Sequence, residues 1–299
     1  MTGDPVRKLL SELTPSEAKV DAYLGDTYAL ETVDQLERLG LDAATFAREH
    51  SLLLLKPDAI VARAVEPTLE WLSGNGFRVV SAHRVAVDRH LARALWYFAW
   101  NIASPERRRL ADLLVGISDV LLLVVHGADG ELPVPVRLAE AKGATDPRKR
   151  RPGDLRYVLG RHNYLLNLVH SPDDPADVLR ELAIYFDERS RAQVLTQAVT
   201  GIDRSAAAAE LARELYSGVP ERSFDRDAAF ARLYAELGSV AAESDAECAE
   251  RLAAAMAAGR ELDAWSAIVL GSYVFPMRVG SQSQTLRPIG AKDWLEGRP

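Results

Sequence analysis

Cysteine is almost missing from this 299-residue chain: Cys248 stands alone. An intramolecular disulfide is therefore impossible, and a zinc or iron–sulfur site built from several cysteines is excluded. Long apolar runs are missing too. The longest, Leu52 to Leu55 and Val120 to Val125, fall far short of the roughly 20 residues a membrane-spanning helix needs. The N-terminus, Met1-Thr2-Gly3-Asp4-Pro5, has no basic stretch followed by an apolar one. No signal peptide is expected, and a reducing cytoplasm is the default location. Glycine and proline, at 19 and 15 residues, are too scarce for a low-complexity or collagen-like chain. Positive charge is in deficit, with 36 Lys and Arg against 43 Asp and Glu and a net charge of −7. Such a chain is a poor general binder of nucleic acid or anionic membrane.

What remains is an ordinary globular composition, 48% hydrophobic and 26% charged. The length suggests about two domains. Residues 1–50 read as a helical extension. Thr14, with Pro15 after it and Glu17 three positions on, has the pattern of a capping box. Gly25 and Gly40 sit where helices should stop, and Val33, Leu36 and Leu39 recur at helical spacing between them. Residues 51–189 change character. Apolar runs at 51–55, 77–80, 120–125 and 164–169 read as strands, and helical pattern covers 63–74, about 88–115 and about 134–142. A further helix is predicted to start at Ser171-Pro172. This order suits a ferredoxin-like α+β sheet with its helices on one face. A doubly wound parallel sheet is the competing arrangement. Residues 190–299 are Ala-rich and helical, with Phe230, Leu233, Tyr234 and Leu237 on one face and Ser244 capping ahead of Glu247. From about 276 onward the pattern is irregular.

Three features carry chemistry. Residues 148–161 hold Arg148, Lys149, Arg150, Arg151, Arg156 and Arg161 against Asp154 alone, a local inversion of the chain's charge. Arginine grips phosphate oxygens in pairs, so phosphate is the natural guest, although a solvated loop is the plain alternative. His170 ends an apolar run just before a helix start, where an imidazole opposite a basic loop can attack phosphorus. A merely packed histidine is the alternative there. Lys56 ends the first predicted strand, where a surface lysine would also fit. Together the three describe a phosphoryl-transfer site, whose chemistry rests on positioning and charge stabilisation.

The residues from about 51 to 188 resemble the nucleoside diphosphate kinase family. The likeness begins at Lys56-Pro57-Asp58-Ala59 and continues at Gly76-Phe77-Arg78-Val79-Val80 and Thr145-Asp146-Pro147. Pro152-Gly153-x-Leu155-Arg156 follows at the family's spacing, and Asn167-Leu168-Val169-His170 matches the stretch that bears the phosphorylated histidine. Glu181, eleven residues after His170, falls where the family has a glutamate that orients it. The resemblance implies a βαββαβ fold and ping-pong transfer from a nucleoside triphosphate to a diphosphate through phosphohistidine. It makes His170, Glu181 and Lys56 catalytic, assigns Lys56, Thr145 and Arg156 to the phosphates, and places Asn167 at the ribose and phosphate end. Magnesium would arrive on the nucleotide phosphates rather than in a protein cage.

The chain also departs from the family pattern. Pro172 replaces the serine two after the histidine. Trp96 stands where the family has a nucleotide-binding tyrosine. The second phosphate arginine falls on Ala139, and Arg137 takes its place if the helix register shifts by two. Asp154 and Tyr157 replace a Thr or Ser and a Gly.

The first functional reading is thus a nucleoside diphosphate kinase-like phosphotransferase with helical extensions at both ends. Its partners would be a nucleoside triphosphate and a phosphate acceptor, with no membrane and no specific nucleic acid; a homo-oligomer stays open. Two other readings stay open. One is a phospho- or nucleotidyltransferase of the same fold acting on a non-nucleotide acceptor such as a specialised metabolite. The other is a non-catalytic nucleotide-binding protein.

Overall fold

The computed structural model describes residues 5–128, 130–160, 163–237 and 244–297. Met1 to Asp4, Arg161, and the side chains of Tyr234 and Leu237 lie outside the described residues. Four helices lead: α1 (Pro5–Leu13), α2 (Glu17–Tyr23), α3 (Thr27–Arg38) and α4 (Ala43–Glu49). Then come β1 (His50–Leu55), α5 (Pro57–Val61), α6 (Val65–Gly74), β2 (Phe77–Val85), α7 (Arg89–Leu95) and α8 (Pro105–Val115). β3 (Val120–Gly127), α9 (Val134–Lys142), α10 (Leu155–Val158), β4 (Val169–His170) and α11 (Pro175–Tyr185) complete the middle. The C-terminal part holds α12 (Glu188–Ala198), α13 (Ser205–Gly218), α14 (Arg226–Leu237), α15 (Asp245–Ala257), α16 (Ala264–Val274) and α17 (Ala291–Glu296).

The four strands form one sheet in the order β2-β3-β1-β4, and every pairing is antiparallel. This is the ferredoxin-like α+β arrangement, and it overturns the parallel alternative. The expectation of helices on one face is corrected: both faces are covered. All six residues of β1 are buried, and alternate ones point to opposite sides. Leu52 and Leu54 join Leu122 and Val124 in a core shared with α1 to α4, α7, α11 and α12. Leu53 and Leu55 join Leu121 and Leu123 in a second core under α5, α6, α9 and α13. A strand apolar on both sides must be covered on both. The unbroken Leu52 to Leu55 run is the sequence expression of that. A third core packs α14 to α16 against α8 and the approach to β4, through Leu110, Leu166, Leu233, Leu252 and Ile268.

Other sequence expectations shift for local reasons. The cap of α2 is Ser16, whose Oγ accepts from Lys19 N, while Thr14 donates its hydroxyl to Asp174 Oδ2 at 2.7 Å. Gly40 does stop α3, at φ 68°, where the Leu41 amide closes back on Leu36 O at 2.9 Å. The helix predicted over 88–115 is split: α7 ends at Leu95, a 3-10 turn spans Tyr97–Ile102, and α8 starts anew where Ser104 caps it and Pro105 opens it. The helix predicted at Ser171-Pro172 starts at Pro175, capped by Asp174. The fourth strand is cut from six residues to two. Asn163 Oδ1 accepts the amides of Leu165 and Leu166, and Leu168 adopts φ 68°. Side-chain bonds to the backbone and a left-handed residue replace the ladder there. The irregular tail from 276 contains α17. Ser244 caps α15 as its spacing suggests.

Candidate active site

The antiparallel pairing of β1 with β4 sets Leu54 opposite His170 and Leu55 opposite Val169. Lys56, the next residue, donates its amide to Leu168 O at 2.9 Å. Its ammonium is buried and bonded to Leu165 O at 3.1 Å and to Asp58 Oδ2 at 3.3 Å. Burial draws the Lys56 pKa below the ordinary lysine range, with Asp58 opposing the shift. The same Asp58 oxygen accepts the amide of Leu168 at 2.9 Å. The carboxylate therefore holds the left-handed turn that delivers β4.

The loop between α9 and α10 is built on Gly143. At φ 86° it turns the chain out of α9, and a Cβ there would lie 2.5 Å from Asp154 Oδ2, so only glycine fits. Its carbonyl accepts from Arg156, whose guanidinium also reaches Thr145 Oγ1 at 3.2 Å and Val169 O at 2.6 Å. Arg156 is buried without a carboxylate within 4 Å among the described residues. Burial and neighbouring Arg150 pull its pKa down to about 10.

His170 and Glu181 meet. Nε2 of the ring and Oε1 of the carboxylate are 2.9 Å apart, because β4 and the second turn of α11 lie side by side. Glu181 is buried and its pKa is raised, by desolvation first, with His170 opposing. Among the described residues its second oxygen has no hydrogen-bond partner, and Pro172 offers it none. Trp96 stands edge-on to the imidazole, with ring centroids 5.5 Å apart.

These side chains line one cleft of about 730 Å³. Of the residues singled out from sequence, it brings together Lys56, Trp96, Thr145, Arg156, Asn167, His170 and Glu181. Asn167 fixes its own loop, donating Nδ2 to Tyr164 O at 2.9 Å. Arg137 is not among them. Its guanidinium donates to Ala128 O and lies over the Phe77 ring, while Ala139 does face the cleft. The basic run divides: Lys149, Arg151 and Arg156 reach the cleft, Arg148 pairs with Asp146 in solvent, and Arg150 braces the carbonyls of Ala144 and Thr145.

Further contributors escaped the sequence reading. Asp58 lay inside a quoted motif but had no assigned task. Lys142 ends α9 immediately before Gly143 and its loop, and that adjacency was the available signal. Lys19 comes from α2 and bonds Asp174 and Asp177, both at 2.9 Å; nothing local marks it. Gln284, Leu286, Arg287 and Ile289 reach the cleft from the C-terminal tail. Among the described residues no group of three or more His, Cys, Asp or Glu is placed to hold a metal ion, and no helix is long and apolar enough to cross a membrane.

A family model described as nucleoside diphosphate kinase matches residues 49–191, a span that contains Lys56 to Glu181. The nucleoside diphosphate kinase of Roseiflexus castenholzii is 31% identical over 145 residues, covering 46% of this chain and 87% of that protein. That of Thermococcus kodakarensis is 29% identical over 140 residues, covering 46% and 76%. Among solved structures, a nucleoside diphosphate kinase from Halobacterium salinarum in complex with CDP has 25% identity over 46% of this chain and 88% of that one, with a TM-score of 0.41. On the identity and coverage of these relatives, the chain belongs to the nucleoside diphosphate kinase family.

Proposed function

We propose that the protein moves the γ-phosphoryl group of a nucleoside triphosphate through His170 to a nucleoside diphosphate. The observation that carries this reading is the His170–Glu181 contact beside buried cations. With Glu181 accepting as a carboxylate across the 2.9 Å contact, Nε2 carries the proton and the free lone pair sits on Nδ1. Among the described residues nothing bonds Nδ1, and the ring lines the cleft.

In the first half-reaction Nδ1 attacks the γ-phosphorus. An N–P bond forms as the bond to the β–γ bridging oxygen breaks, and that oxygen keeps the electron pair as the diphosphate leaves. Glu181 holds the Nε2 proton and stabilises the positive charge on the ring. In the second half-reaction a terminal oxygen of the acceptor diphosphate attacks phosphorus, and the N–P pair returns to Nδ1. That oxygen is already ionised at neutral pH, so no base is required. Lys56, Arg156 and Thr145 would hold the phosphates, Asn167 the ribose end and Trp96 the base. Magnesium would enter as part of the nucleotide substrate and offset phosphate charge.

Incubation with γ-labelled ATP and magnesium tests this. The expected result is an acid-labile, base-stable label that His170→Ala abolishes and that added nucleoside diphosphate discharges as triphosphate. Label that persists in H170A would refute the phosphohistidine route.

One observation favours a second acceptor class. The tail residues Gln284, Leu286, Arg287 and Ile289 form part of the cleft wall, beyond the span that matches the family. Discharge of labelled protein by a non-nucleotide acceptor, with nucleoside diphosphates inert, would select that reading.

A further inference from the structure

Lys142 is a buried lysine with no carboxylate partner. Its side chain is almost fully enclosed. The ammonium donates to Ser171 Oγ at 2.7 Å and to Ser171 O at 3.3 Å. Among the described residues no acidic oxygen lies within 4 Å of it, whereas Lys19 has Asp174 and Asp177, and Lys56 has Asp58. A buried cation left unpaired is costly, and it persists where an anion joins it. Lysine carries three N–H donors, and Ser171 takes two. Lys142 also lines the cleft, next in chain to the loop that holds Arg156 and joined by hydrogen bond to the residue after His170.

We propose that Lys142 is a phosphate-binding cation of this site, completing with Lys56 and Arg156 the positive lining that receives the transferred phosphoryl group. This rests on the phosphotransferase reading above. It gives the site a third cation, this one from α9, on which Ala139 faces the cleft one turn earlier. The groups facing Lys142 fit the task. Arg156 on α10 repels its charge, while Asp173, Glu181 and Asp177 attract it from the loop after His170 and from α11. Burial and Arg156 bring its pKa down to about 7. A phosphate dianion arriving between the two cations would restore the proton.

The test is the single-turnover rate of phosphorylation by γ-labelled ATP with magnesium, on the full chain and its variants. K142M keeps the volume and removes the charge; it should slow labelling on the order of 100-fold. K142R keeps the charge and should stay within about tenfold of the parent. S171A removes the hydrogen bond from the other side and should also stay within about tenfold. Equal losses in K142M and S171A would make Lys142 a brace for the loop and overturn the proposal. So would a K142M rate equal to the parent's while H170A is unlabelled, which leaves the phosphotransferase reading intact. Proton uptake on ATP binding near pH 8, read from calorimetry in two buffers, should be present in the parent and lost in K142M. Uptake that survives in K142M would also overturn it. Label that survives in H170A would instead remove the reading on which the proposal rests.

Discussion

Asp58 and Leu168 are joined at 2.9 Å across 110 positions of chain, carboxylate to amide, and this bond, with that of the Lys56 amide to Leu168 O, holds the left-handed residue that precedes β4 and His170. Asp58→Ala leaves the Leu168 amide and the Lys56 ammonium without that partner. It should cost about 1–3 kcal/mol in urea unfolding and slow histidine labelling. A variant destabilised as expected but labelled at the parent rate would show that the turn does not depend on Asp58.

Glu181 Oε1, 2.9 Å from His170 Nε2, is placed to set the tautomer of the imidazole. In the parent, nitrogen-15 shifts of the imidazole should report a proton on Nε2 and a bare Nδ1. Glu181→Ala should mix the tautomers and slow labelling roughly 10- to 100-fold, the value of one charged hydrogen bond. A bare Nε2 in the parent would overturn the proposed donation to Glu181.

Lys142 makes stability depend on pH. Its folded pKa, about 7, lies below the ordinary lysine value, so between these two values the unfolded chain binds more protons. Stability therefore rises with pH across that window, by up to about 1.4 kcal/mol per unit. The penalty of the buried charge is fully present below pH 7. K142M should accordingly be at least as stable as the parent at pH 6, with its advantage fading by pH 10. Parallel unfolding curves for the two proteins across pH 6–10 would refute this.

The C-terminal tail is bonded along the cleft mouth. Val279 N reaches Ile102 O and Thr285 N reaches Phe98 O, both at 3.0 Å, and Ala291 N reaches Glu140 Oε1 at 2.9 Å. Of its described residues only Ile289 is fully buried. A chain ending at Pro276 should stay folded and accept a wider range of phosphate acceptors. Unchanged acceptor preference would show that the tail wall does not select. A chain ending near Arg189 should fare worse. It strips Ala208, Ala212 and Leu215 from the sheet and Ser272 from Asn163.

Much of the site was legible in the sequence because its residues cluster in short stretches with fixed spacing. Lys56 follows a strand whose apolar run marks it as buried. Arg156 sits in a basic loop that stands out against an acidic chain. His170 and Glu181 are separated by a turn and two helical turns. Such local patterns survive without coordinates, because periodicity and turn chemistry act over a few residues.

Tertiary structure decided the rest. The 164–169 run has strand composition, yet Asn163 takes the amides of Leu165 and Leu166 locally and Asp58, 110 residues away, takes that of Leu168. The register of α9 placed Ala139 and Lys142 on the cleft side and Arg137 over Phe77; sequence spacing left that face undefined. Lys19 and the tail reach the cleft from either end of the chain through packing against α11, α9 and the Tyr97–Ile102 turn. Composition and periodicity by themselves determined an acidic protein of mixed strands and helices with one basic loop, and left antiparallel and parallel sheets both open. Which cations enter the cleft, and which segments wall it, followed from long-range packing, where burial and hydrogen bonding are settled between residues that no local pattern connects.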